Sequence, residues 1–118
     1  MNITINDLAQ LAAKAASEKK AIDTVILDIR DLSLIADYFV ICSANSETQV
    51  QAIAREIKEK VIEAGVEIKG MEGLSHARWV LIDLGDVVVH VFHKEEREFY
   101  NLERLWNNAP RVNYKEIE

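Results

Sequence analysis

Apolar and polar positions alternate most regularly between Trp79 and Phe92, where two β-forming runs flank Gly85-Asp86. A two-residue Gly-Asp connection predicts a tight hairpin, because glycine supplies the positive φ of a type II′ turn. With Leu84 and Val87 beside the turn, Ile82 faces Val89 and Val80 faces Val91. Alternate side chains share a face, so Val80, Ile82, Leu84, Val87, Val89 and Val91 form one apolar surface that must be buried. The opposite surface pairs Asp83 with Val88, Leu81 with His90 and Trp79 with Phe92. It is too apolar for a solvated face, yet it carries an acid and an imidazole. Two readings fit it: a second layer of core under a helix, or a surface kept for a partner.

The rest of the chain alternates helical and strand periods. Leu8, Leu11, Ala12 and Ala15 predict a helix over 6–20, with Asn6 as N-cap and Lys19 and Lys20 at the C-terminal end of the dipole. Residues 24–30 and 38–43 read as apolar strands. Between them Leu32, Leu34 and Ile35 are unusually apolar for a connector and are expected to fold back onto the core. Ser46 and Gln49 fit a capping box ahead of the stripe Val50, Ile53, Ala54, Ile57 and Val61, and Gly65 sits where a C′ glycine closes a helix. A short strand over 66–69, near a sheet edge, precedes the hairpin. Residues 94–106 read as one helix or two short ones, with Phe99, Leu102, Leu105 and Trp106 on the apolar side. The order α-β-β-α-β-β-β-α predicts an α/β (α+β) fold. Its mixed sheet has about five strands, with helices mainly on one face. Residues 1–106 make one domain, and 107–118, broken by Pro110, make a poorly anchored tail.

Composition narrows the function. The chain is 49% hydrophobic and 29% charged with a net charge of −6. That suits a globular protein with a basic partner and argues against direct nucleic-acid binding, which needs basic patches. No apolar run reaches bilayer length and no signal peptide precedes the first helix, so neither membrane nor export is expected. The single Cys42 lies in an apolar strand and fits a reducing compartment, as inert filling rather than a nucleophile. His90 and His93 point to opposite faces of a strand, so no metal site is expected. The turn before the second helix lacks the glycines and Gly-Lys of a P-loop. No strand carries the paired carboxylates of two-metal phosphoryl transfer, and Asp28 stands alone in its strand. No enzyme activity and no cofactor are expected.

Three separated stretches resemble one family. They are Asp37-Tyr-Phe-Val-Ile-Cys-Ser43 with Asn45-Ser46, the hairpin Trp79 to Phe92, and Arg97-Glu-Phe-Tyr-Asn-Leu-Glu-Arg-Leu-Trp106. Together they resemble the Iojap-like ribosomal silencing factors over nearly the whole chain. The resemblance implies a nucleotidyltransferase-like fold without the catalytic acids. It implies a cytoplasmic translational repressor that binds the large ribosomal subunit through its fourteenth protein and blocks joining of the small subunit when nutrients are short. It also implies a homodimer when free. Trp79, Asp83, His90 and Tyr100 match positions of the family's partner-binding surface, and the hairpin register adds Leu81 and Phe92. The alternative is a degenerate nucleotidyltransferase-like domain that binds a nucleotide or assists another enzyme.

Overall fold

The computed structural model describes residues 3–114. Its centre is a seam of two strands, β2 (Tyr38–Ala44) and β5 (Val87–His93), which run parallel. Parallel neighbours require a crossover, and helix α2 (Glu47–Glu63) begins it. Strand β4 (Trp79–Asp83) joins β5 by the tight turn, and β3 (Gly70–Glu72) pairs with β4 as one edge. On the other side β1 (Ile22–Asp28) runs antiparallel to β2, and β6 (Arg111–Val112) pairs with β1. Among the described residues the sheet therefore has six strands in the order β3-β4-β5-β2-β1-β6.

The hairpin has the predicted register: Trp79 faces Phe92, Leu81 faces His90 and Ile82 faces Val89. Gly85 takes φ +92°, and the Leu84 amide donates to the Val87 carbonyl at 2.9 Å. The six aliphatic residues of its apolar face are all buried. They meet α2 and helix α1 (Ile5–Glu18), whose Ala9, Ala12, Ala13 and Ala16 bring the helix close to its neighbours. A smaller core fills the opposite face around Leu27, Ile29, Ile41, Val88 and Phe92. It is covered partly by the short helices α3 (Lys94–Tyr100) and α4 (Leu102–Leu105) and the turn after them. Helices thus lie mainly on one face of a mixed sheet.

Several local expectations change. The first helix starts earlier because Thr4, not Asn6, caps it: the Thr4 hydroxyl accepts the Asp7 amide at 3.0 Å. Ser46 caps α2 as expected, its hydroxyl accepting the Gln49 backbone amide, but the Gln49 side-chain Nε2 donates to the carbonyls of Lys19 and Lys20 and so ties α2 to the end of α1. The strand expected over 66–69 falls at 70–72, because the Val66 amide closes α2 on the Val61 carbonyl while Gly65 turns with φ +83°. Leu32, Leu34 and Ile35 do not fold back onto the core but stand exposed in the β1–β2 loop. The stretch after Trp106, expected to be poorly anchored, is tied down through residue 114. Arg111 and Val112 pair with Leu27 and Ile26, and the Tyr114 hydroxyl donates to the Thr24 carbonyl at 2.9 Å. Backbone pairing needs no side-chain periodicity, so the pattern does not report it. Residues 115–118 of the expected tail lie outside the described residues.

The hairpin's apolar face is the load common to both readings of its opposite face. Ile82 is fully buried, so Ile82→Ala should cost roughly 2–5 kcal/mol in a denaturant melt.

Candidate partner-binding face

The mixed face of the hairpin is neither fully covered nor open. Its floor is buried: Phe92, Val88 and His90 lie beneath their neighbours, with His90 only 4% exposed. Above the floor Trp79, Leu81, Asp83 and Phe39 are half-buried. At the rim Tyr100 is 49% exposed and Phe99 80%. The Trp79 ring links the levels, with centroids 4.9 Å from Phe92 and 4.8 Å from Tyr100. Phe39 makes edge contacts with His90 at 4.8 Å and with Trp106 at 5.4 Å.

The expected site residues therefore divide. Trp79, Leu81 and Tyr100 come together as a ledge with accessible apolar surface. Phe92 and His90 lie beneath it, buried in the smaller core, and support the ledge from below. Asp83 lies at the far end of β4, where its Oδ1 accepts the Gly85 amide at 2.8 Å and stiffens the turn.

His90 orients the ledge by one hydrogen bond. The Trp79 indole N–H donates to its Nδ1 at 3.1 Å, so the ring's proton sits on Nε2. Nε2 is buried and has no hydrogen-bond partner among the described residues. Burial pushes the imidazole pKa down to about 4, so the ring is neutral at pH 7. A charged imidazole could not accept the indole proton.

Two arginines fix the rim. Arg78 binds both Glu95 and Glu96 at 2.7 Å, joining the start of β4 to α3. Arg97 donates to the carbonyls of Ile22 and Asp23, to the Ser43 hydroxyl and to Glu103. Asn101, at φ 49°, then breaks α3 from α4 and lets Leu102 and Trp106 pack on the smaller core. Sequence reasoning offered cover by a helix as one of two readings of this face, but it did not single out Arg97 or Phe39 as site residues. The partners of Arg97 on β1 are main-chain carbonyls 74 and 75 positions away, which leave no mark in the sequence. Gly73, at φ +86°, passes so close to the Trp79 carbonyl that a Cβ there would collide with it.

Among the described residues His93, Glu95 and Glu96 form a grouping of metal-ligating type. Arg78 already supplies the cation there, and His93 Nδ1 accepts the Glu95 amide at 3.2 Å. Asp28 and Asp83 sit on β1 and β4, three strands or roughly 14 Å apart and on opposite faces. Asp28 is held below the usual carboxylate range by its hydrogen bonds from Arg30. Burial pushes the Cys42 thiol up to about 12, which leaves it protonated. Among the described residues no helix is long and apolar enough to cross a membrane.

Comparison with known proteins identifies the group. The family model described as "Ribosomal silencing factor during starvation" matches residues 2–118. The chain belongs to the ribosomal silencing factor family. It is 59% identical to the ribosomal silencing factor RsfS of Bacillus subtilis over 87% of each chain. It is 38% identical to the chloroplastic protein Iojap of Zea mays over 82% of this chain, which is 42% of the maize protein. A crystal structure from Bacillus halodurans matches with 57% identity and a TM-score of 0.82, over 92% of this chain and 98% of that one. Another from Chromobacterium violaceum matches with 37% identity and a TM-score of 0.87, over 89% and 88%. Membership places this chain among regulatory, ribosome-associated factors, and the mixed α+β fold agrees with these structures.

The neutral His90 makes stability depend on pH. Its folded pKa, about 4, lies below its ordinary 6.5. Between these values the unfolded chain takes up a proton that the folded chain refuses, so stability falls as pH falls through this window. Denaturant melts should lose on the order of 2 kcal/mol through this group between pH 7 and pH 5. His90→Asn, which keeps an acceptor for the indole and does not titrate, should flatten that slope.

Proposed function

We propose that this protein represses translation by docking on the large ribosomal subunit, through its fourteenth protein, and keeping the small subunit from joining. The single observation that supports the reading is the ledge of Trp79, Leu81 and Tyr100, a contiguous aromatic and aliphatic surface left accessible at the edge of a buried floor. Large aromatic groups held rigid beside a polar rim are what binding hot spots use. The family supplies the ribosome as partner, and the fourteenth protein and the joining step follow from the resemblance of the hairpin and the 97–106 stretch.

The mechanism is steric. A small domain with extents of 33 × 32 × 29 Å occupies volume that the small subunit needs. Affinity comes from Trp79, Leu81 and Tyr100, with Asp83 and the glutamates of α3 facing basic groups of the partner. Preorganisation lowers the entropy cost of binding: the Trp79–His90 bond and the two arginine clamps already hold the rings in place. No bond is made or broken, and no cofactor enters. The protein acts in the cytoplasm, and the free chain pairs with itself as a homodimer.

Light scattering of purified subunits tests this. Added before mixing, the protein should suppress association, and added to intact ribosomes it should do much less. Tyr100→Ala should weaken binding by roughly 2 kcal/mol or more with little loss of stability. Unchanged joining at saturating protein would overturn the proposal.

A further inference from the structure

The β1–β2 loop presents apolar side chains that no part of the described fold covers. Leu32 is 46% exposed, Ile35 84%, and Leu34 fully so. The loop is nevertheless fixed. The amides of Leu32 and Ser33 donate to the Ile29 carbonyl at 3.0 and 2.9 Å, and the Ser33 hydroxyl accepts the Ile35 amide at 3.0 Å. At its base the Ile29 amide donates to the Asp37 carbonyl, and the Asp37 amide donates to the Asp86 carbonyl at 2.8 Å. Ile29 and Ala36 are buried in the smaller core, with Trp79 and Leu81 packed against the same cluster. The three apolar groups are thus held out as a knob at the turn end of the hairpin.

The charge around the knob selects what can cover it. Asp31 and Asp37 lie in the loop itself, with Asp83 and Asp86 at the adjoining hairpin turn. Arg30 is committed to Asp28 at 2.7 Å, and Lys69 lies against Gly85. A two-fold contact between knobs of two copies would set acids against acids. Anionic lipid and nucleic-acid phosphates are disfavoured for the same reason. A protein surface with an apolar recess bordered by lysine or arginine is complementary in both respects. The knob is also continuous with the ledge: from Trp79 to Asp83 is a step of roughly 13 Å along β4, and the knob lies beyond that end.

We infer that the β1–β2 loop is a second docking element, whose Leu32, Leu34 and Ile35 enter a basic-rimmed apolar recess on a protein of the large ribosomal subunit. This rests on the ribosome-binding reading above. Two anchors on one rigid domain fix its orientation as well as its affinity, because the second contact is made at high effective concentration.

The test is co-sedimentation of the full chain with purified large subunits, comparing wild type, Tyr100→Ala and the double variant Leu34→Ser/Ile35→Ser. Both replaced residues in the double variant are exposed, so its thermal unfolding should match wild type. Its binding should fall at least about tenfold. Wild-type affinity in the double variant, with binding lost in Tyr100→Ala, would overturn the knob and leave the ledge. A wild-type chain that does not sediment with large subunits would overturn the ribosome reading and this one with it. Sedimentation velocity of the free chains supplies the remaining arm. Loss of self-association in the double variant with subunit binding intact would make a second copy the occupant and refute the inference.

Discussion

The parallel pairing of β2 with β5 is the contact on which everything else hangs. Each strand is buried on both faces, so neither tolerates a solvated side. On one side they receive α1 and α2, and on the other the smaller core under α3 and α4. The hairpin holds β4 on β5 and the β1–β2 connection holds β1 on β2, so both halves of the sheet grow outward from one seam. His90 stands on β5 within this seam, paired in register with Ile41. The ledge therefore inherits its rigidity from the deepest part of the fold, not from the loops around it.

How much of this was legible follows from what each residue depends on. The hairpin register needed only glycine at a turn and alternation on either side. The stripe of α2 and its closing glycine were equally local. What the pattern could not give was decided at a distance. The exposure of Leu34 and Ile35 depends on the Asp37–Asp86 backbone contact, which holds the loop away from the core. The β6 pairing rests on main-chain groups of Arg111 and Val112. The burial of Phe92 depends on Trp79 across the hairpin and on the smaller core around it, against which Leu102 and Trp106 pack. Sequence placed the right residues on the mixed face but could not rank them by depth, and depth separates ledge from floor.

That ranking changes the physics of the site. A fully exposed aromatic group loses rotamer freedom when it binds, whereas a half-buried one has lost much of it on folding. Trp79 is held by ring contacts with His90, Phe92 and Tyr100 and by one hydrogen bond, so folding has already borne most of that entropy cost. The same burial limits the chemistry. His90 is kept neutral, Cys42 is kept a thiol, and Asp28 and Asp83 are kept apart.

The sheet's edges carry a further consequence. Among the described residues one edge is β3, with three residues, and the other is β6, with two. Edge strands expose unpaired amides and carbonyls that invite another chain to add a strand, and short edges offer too few of them to hold one. Among the described residues these two edge strands therefore offer little for backbone pairing. The side-chain faces of the sheet and its helices are then the larger surfaces open to contact.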